Sequence, residues 1–325
     1  MADDLDRILK DKYTTCLRPG YKWFDDIFML TTFPNYADRI RNFHVRDDDI
    51  WVSSFAKAGT TWTQEMVWLI ANDLDYEGAK TLLPERFPFL DLSCVLDFQY
   101  HKDRHPEFEC PESMLDPIGY INKLKSRRFI KTHLPWKYLP LQIQNQTTKA
   151  KLIHVIRNPK DICVSLHYHT HVMEAATGTL EDCFRLFMAG KVAYGPFWDN
   201  ILSFWNRRHL PNILVISYED MKKDLPSVIR KVAKFLGKEV NDDQMEKLTK
   251  HLSFEQMKTN TAVNFEPLIS YVKQCTGDAS ENKGSFMRSG QAGNYKVEMT
   301  QEMIEIMDKW IEEHTVGTDL TFNIP

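Results

Sequence analysis

Short apolar runs alternate with amphipathic stretches along most of this chain. The run Asp49-Ile-Trp-Val-Ser-Ser-Phe55 is rich in β-branched and aromatic residues and predicts a short buried strand. From Thr60 the period changes. Trp62, Met66 and Leu69 recur beside Thr63, Val67 and Ile70 as one buried helical face. Three more strands are expected at 127–132, 150–156 and 212–217, the one at 150–156 being followed by Asn158-Pro159, a helix cap with proline at the first helical position. Long helices are expected near 160–173, 179–209, 224–236 and 299–313. Strands this short and continuously apolar suit the interior of a parallel sheet, and their alternation with helices predicts a doubly wound α/β fold. We expect a single domain spanning 1–325, with a central parallel sheet flanked by helices and ligands held at the carboxyl ends of its strands.

Composition narrows the classes. The chain has 325 residues, 43% hydrophobic and 26% charged, enough to bury a sizeable core. A net charge of −4 provides no basic field for nucleic acid or an anionic membrane. The six cysteines have neither C-x-x-C nor zinc-ligand spacing. Met1 to Lys12 lacks the apolar stretch of a signal peptide, and no run approaches the ~18 apolar residues of a membrane span. The expectation is a soluble cytoplasmic protein with reduced thiols.

Three loops carry candidate chemistry. Phe55-Ala-Lys-Ala-Gly-Thr-Thr-Trp62 joins strand to helix, where unpaired N–H groups and the helix dipole favour an anion. Gly59 permits close approach, Thr60 and Thr61 add hydroxyls, and Lys57 adds a charge. The loop is not the nucleoside-triphosphate pattern G-x-x-x-x-G-K-[ST], since its lysine precedes the glycine. Taken alone, it also reads as an ordinary turn with a surface lysine. Lys131-Thr-His-Leu-Pro135 sends a cation and an imidazole from one strand end. Arg157-Asn-Pro-Lys-Asp161 follows the third strand, with Ser165 two helical turns on. Arg157 and Ser165 suit a phosphate, while an ion pair from Arg157 to Asp161 is the structural alternative.

Together these loops resemble the cytosolic sulfotransferase family, whose motifs read T-Y-P-K-S-G-T-T-W, K-T-H-L-P and R-N-P-K-D followed by serine. The resemblance continues through Tyr218-Glu-Asp-Met221, Leu252-Ser-Phe-Glu-Gln-Met257 and Phe286-Met-Arg-Ser-Gly290, in family order from about Tyr21 to the C-terminus. It implies a P-loop-like phosphosulfate-binding loop and 3′-phosphoadenosine 5′-phosphosulfate (PAPS) as donor, leaving 3′,5′-bisphosphoadenosine (PAP), with no metal. On that resemblance, Lys57 and the N–H groups of Ala58, Gly59, Thr60, Thr61 and Trp62 hold the phosphosulfate. Arg157, Ser165 and Arg288 hold the 3′-phosphate, and Trp62, Tyr218 and Phe254 pack on adenine. Leu252, Ser253, Met257, Phe286, Met287, Ser289 and Gly290 complete the cofactor set. His133 is the general base, with Lys57 and Lys131 balancing charge. Phe24, Phe87, Phe89 and His169, with Lys131 and His133, line an apolar acceptor pocket for a phenol, steroid or alcohol.

Departures from the family pattern are expected to weaken cofactor binding. Phe55, Ala56 and Ala58 replace Tyr, Pro and Ser, Leu252 replaces Thr, and Ser289 replaces Lys. Lys296, Thr300 and Glu305 fit the spacing of the family's homodimer motif, but Gln301 stands in place of Val. His167 and His171 share a helix face without an intervening Glu or third ligand, so no metal site is expected there. Asp47-Asp-Asp49 reads as a solvated turn. Competing readings are a nucleotide kinase or ATPase, disfavoured by the missing Walker lysine, and a non-catalytic nucleotide-binding protein, disfavoured by Lys57, Lys131 and His133. A dehydratase acting through a sulfated alcohol is a variant of the sulfotransferase reading.

Overall fold

Each of the four expected strands is present in a computed structural model of the chain, which describes residues 2–125, 127–276 and 285–322. Six strands occur among the described residues: β1 (Tyr21–Phe24), β2 (Ile27–Leu30), β3 (Ile50–Ser54), β4 (Phe129–Thr132), β5 (Lys151–Ile156) and β6 (Ile213–Ser217). The last four pair in the order β4-β3-β5-β6, every pair parallel. Alternate residues of β3 serve opposite faces. Trp51 packs with Ile130 and Leu152 on one side; Val52 packs with Ile153 and Val155 on the other.

Helices cover both faces. Those that matter for the site are α1 (Ala2–Lys12), α2 (Thr60–Ala71), α3 (Pro159–Glu174), α4 (Leu180–Met188), α5 (Phe197–Trp205), α6 (Leu225–Leu236), α7 (Phe254–Thr259), α8 (Glu266–Thr276) and α9 (Gln301–Thr315). α2 and α6 close one face, through Met66, Val67, Leu69, Ile229 and Val232. α4 and α5 close the other, through Phe187, Phe197, Ile201 and Phe204. Among the described residues no helix is long and apolar enough to cross a membrane.

The chain order β3, β4, β5 puts β4 on one side of β3 and β5 on the other, so the connections diverge at the carboxyl end of β3. That is where a doubly wound sheet opens a crevice. The register brings Ser53 beside Thr132 and Ser54 beside Val155, so the loops after β3, β4 and β5 leave the sheet at one level.

Three expectations change. The stretch 179–209 is two helices, α4 and α5, because Gly190 has φ +69° and Pro196 has no N–H to continue a helix. The β1–β2 hairpin escaped the pattern: its strands are four residues long and join through Asp25, whose φ is +52°. Asp49 is not solvated. It is 1% exposed, and its carboxylate receives Arg128 Nε at 2.8 Å, so an ion pair is buried beneath the start of β3. Only Asp47 and Asp48 are exposed, and Asp47 still accepts the Lys149 N–H at 3.0 Å.

Candidate functional site

The loops after β3, β4 and β5 meet over a cavity of about 570 Å³. In the first loop Lys57 takes a left-handed conformation, φ +71°, and Gly59 follows at φ +102° before α2 begins. Among the described residues the N–H groups of Gly59, Thr60, Thr61 and Trp62 meet no acceptor. They form the expected helix-start cradle. The Ala58 N–H does not join them. It turns back to Phe55 O at 3.3 Å, and Ala58 is fully buried behind the loop.

Gly59 has a steric reason as well as a conformational one, since a Cβ there would lie 2.7 Å from the Tyr218 ring. Gly290 is the matching case across the cavity. Its φ is +61°, and a Cβ would meet Phe254 at 2.2 Å. Trp62 is half-buried rather than fully buried; its Nε1 donates to Leu252 O at 2.9 Å and its ring meets Tyr218 edge-on at 5.7 Å. Trp62, Tyr218 and Phe254 all face the same cavity.

His133 follows β4 and is 6% exposed. Its Nδ1 lies 2.8 Å from Ser54 O at the end of β3. A carbonyl only accepts, so Nδ1 carries the proton and Nε2 keeps its lone pair. The backbone around the imidazole is pinned. Asp91 accepts the His133 N–H at 3.2 Å, and Asn200 Nδ2 donates to His133 O at 2.9 Å. Phe89 and Tyr194 flank the ring edge-on at 5.0 and 5.6 Å. Burial, with Lys131 and Lys57 nearby, pushes the imidazole well below its usual titration range, so it is neutral.

Both lysines are also buried. Desolvation, with Lys131 and Arg157 adding like charge, lowers Lys57 to about 7. Desolvation lowers Lys131 to about 8, against a favourable contribution from Asp91. Lys131 Nζ lies 4.0 Å over Phe89, and Lys57 Nζ lies 4.2 Å over Phe286. Burial raises Asp91 to about 6.

Arg157 is held by carbonyls, donating to Lys57 O at 3.0 Å and Gln291 O at 2.9 Å, with its guanidinium 4.1 Å over Tyr218. Its Nε is buried and has no partner among the described residues. The alternative ion pair is poor: Asp161 lies 4.0 Å away and accepts the N–H groups of Gly293 and Tyr295 instead. Ser165 lines the same cavity as Arg157. Arg288 lines it too, though it is paired with Glu298 at 2.9 Å and lies 4.2 Å over Tyr168. Leu252, Ser253, Met257, Phe286, Met287, Ser289 and Gly290 face the same space.

At the acceptor end Phe87, Phe89 and His169 line the cavity, and Phe87 is also core, 5.4 Å from Phe129. Phe24 is not part of the lining. It packs edge-on against Phe33 at 5.5 Å, with Lys22 above it. Part of the expected acceptor loop, residues 277–284, lies outside the described residues. No group of three metal-ligating side chains occurs among the described residues, and His171 Nε2 pairs with Gly178 O at 2.6 Å. Lys296 and Thr300 are exposed, while Glu305 accepts Gln301 Nε2 at 2.9 Å.

Known proteins similar to this chain give its family and fold. The family model for the sulfotransferase domain matches residues 47–319. The chain belongs to the sulfotransferase family. It is 42% identical over 283 residues to luciferin sulfotransferase of Photinus pyralis, covering 87% of this chain and 76% of that one. It is 35% identical to sulfotransferase 1B1 of Canis lupus familiaris, covering 94% and 96% of the two chains. Among solved structures, retinol dehydratase in complex with androsterone and the inactive cofactor PAP aligns with a TM-score of 0.86. That match has 29% identity and covers 99% of this chain and 96% of that one. The chain is therefore a sulfotransferase-family enzyme with the α/β fold of its relatives.

Several site residues were invisible to motif reading. Ser54, Asp91, Tyr194 and Asn200 lie in no recognised motif, yet they orient His133; only tertiary packing brings them there.

The strained glycine gives a test that needs no ligand. Gly59→Ala should destabilise the fold by about 1–3 kcal/mol, combining left-handed strain with the Tyr218 clash. Gly237→Ala, also at positive φ but with nothing within 4 Å of its Cβ, should lose only the strain, about 1 kcal/mol. Urea unfolding of the two variants measures the difference.

Proposed function

We propose that this enzyme transfers the sulfuryl group of PAPS to the hydroxyl of a small apolar acceptor, with His133 as general base. The observation that carries this reading is the His133 Nδ1 bond to Ser54 O, which leaves Nε2 free beside two buried lysines. PAPS supplies an activated sulfuryl group on a phosphate leaving group. The chain's residues suit it. Lys57 and the N–H groups of Gly59 to Trp62 would hold its 5′ end, and Arg157, with its unpartnered Nε, and Ser165 its 3′-phosphate. Trp62, Tyr218 and Phe254 offer aromatic faces for the base.

His133 Nε2 takes the acceptor's proton, while Lys57 and Lys131 stabilise the negative charge that develops beside it. Phe89, against both His133 and Lys131, gives the acceptor an apolar wall at the reacting end. Burial is the main cause of the imidazole's low basicity in the free protein, and anionic phosphosulfate would offset the further contribution of the Lys131 and Lys57 charges. A second outcome, dehydration of an alcohol after its sulfation, is favoured by the match to retinol dehydratase. Product analysis with an allylic alcohol separates sulfate ester from alkene.

His133→Ala should lower kcat for labelled sulfuryl transfer from PAPS to a phenol by about 10²–10⁴ while PAP still binds. Full activity in that variant would remove the base from the account. PAP affinity should also depend on pH in a defined direction. The free Lys57 ammonium titrates near 7, and a bound anion raises that value. Above pH 7 the free lysine is largely neutral, so binding must take up a proton. PAP affinity should therefore fall as pH rises from 7 to 9. Calorimetry in buffers of different ionisation enthalpy should detect the uptake, and Lys57→Met should reduce it by about one proton.

A further inference from the structure

At the acceptor end the cavity does not finish in hydrocarbon. Lys57 Nζ lies 3.4 Å from His169 Nδ1, so the lysine donates there and the His169 proton sits on Nε2. That Nε2 lies 3.7 Å from Glu174 Oε1, too far for a hydrogen bond. Glu174 ends α3 with its side chain 5% exposed, and burial raises its titration above the usual carboxylate range. Its Oε2 is 2.5 Å from Arg18 Nη1, yet no described residue gives it an aligned hydrogen bond. Arg18 is equally buried and donates to Tyr21 Oη, while its own Nε is unpartnered. Arg18, Tyr21, His169 and Glu174 all line the cavity.

Neither His169 Nε2 nor Glu174 Oε1 has a hydrogen-bond partner among the described residues, and polar groups left so in a largely buried site cost stability, so their gap in the cavity lining indicates a polar ligand group. The charges restrict its type. A carboxylate would confront Glu174, and an ammonium would confront Arg18, Lys57 and the His169 N–H. A neutral hydroxyl satisfies both sides, accepting from His169 Nε2–H and donating to Glu174 Oε1 across the gap. We propose that the acceptor carries a second, neutral hydroxyl besides the one that reacts, and that His169 and Glu174 receive it. This subsite rests on the reading of the chain as a sulfotransferase of an apolar hydroxylated acceptor. Arg18 is a positioning residue that holds the carboxylate in place. The substrate class is thus an apolar diol or polyol, with the phenylalanines covering its body.

The test compares acceptors that differ only in the second hydroxyl: 2-naphthol with 2,6-dihydroxynaphthalene, and 4-hydroxybiphenyl with 4,4′-dihydroxybiphenyl. Affinities are measured on the enzyme loaded with PAP, and turnover is measured separately with PAPS. At least one diol should bind about tenfold or more tightly than its partner, beyond the factor of about two from its symmetry. Arg18→Met with Glu174→Leu replaces the ion pair by apolar residues of similar size, and there the advantage should vanish. His169→Phe and Glu174→Gln, which disturb packing less, should each reduce it. Equal affinities within both pairs in the wild type, or an advantage that survives in the double variant, overturns the subsite. A diol advantage in affinity without sulfuryl transfer to any of the four supports the subsite and counts only against the reading it rests on.

Discussion

Three like charges buried together set the terms for this site. Lys57, Lys131 and Arg157 leave the ends of three adjacent parallel strands and line one cavity, and no carboxylate among the described residues makes a close ion pair with any of them. Desolvation opposes the charged forms of both lysines, and at Lys57 the like charges of Lys131 and Arg157 add to it, which is why the two ammonium groups titrate so low. Such an arrangement persists because the rest of the fold holds it. β3 is buried along its whole length, and Arg157 is fixed by two carbonyls and an aromatic face. An anionic ligand resolves the conflict, so the conformational and electrostatic features of the site have one common cause.

The reacting centre extends the same logic to orientation. The bond from His133 to Ser54 O ties the end of β4 to the end of β3, and thereby fixes which imidazole nitrogen keeps a lone pair. Asp91, Asn200, Phe89 and Tyr194 restrict the ring further. In the role proposed for it, an imidazole held this way needs no reorganisation when a hydroxyl arrives, which is the general advantage of a preorganised site. On the other side of Lys57, Glu174 and His169 make the cavity lining polar again.

Much of this was legible in the sequence because it is local. The four parallel strands are continuous apolar runs, and the loop from Phe55 to Trp62 carries its glycine, lysine and threonines in one stretch. Lys131 and His133 are two residues apart and leave one strand end, so their convergence follows from the sheet alone. Long-range placements were not legible. Asp49 looked like part of a solvated acidic turn, because nothing near it in sequence announces Arg128 as its buried partner. Phe24 sits on a four-residue strand whose hairpin has no strong turn signal, and its side chain turns to Phe33 instead of the cavity. The Ala58 N–H fell inside the expected cradle by position, yet the left-handed turn at Lys57 points it back at Phe55. Arg18 and Glu174 lie far apart in the chain and in no motif, so their pairing needed the folded structure.

The most direct measurement follows the side-chain ammonium signals of Lys57 and Lys131 by nitrogen-detected NMR across pH, with and without PAP. In the free enzyme Lys57 should titrate near 7 and Lys131 near 8, and both should move up sharply when PAP is bound. Values near the ordinary lysine range of about 10.4 in the free enzyme, unmoved by PAP, would contradict the account of a buried cation cluster built to receive an anion.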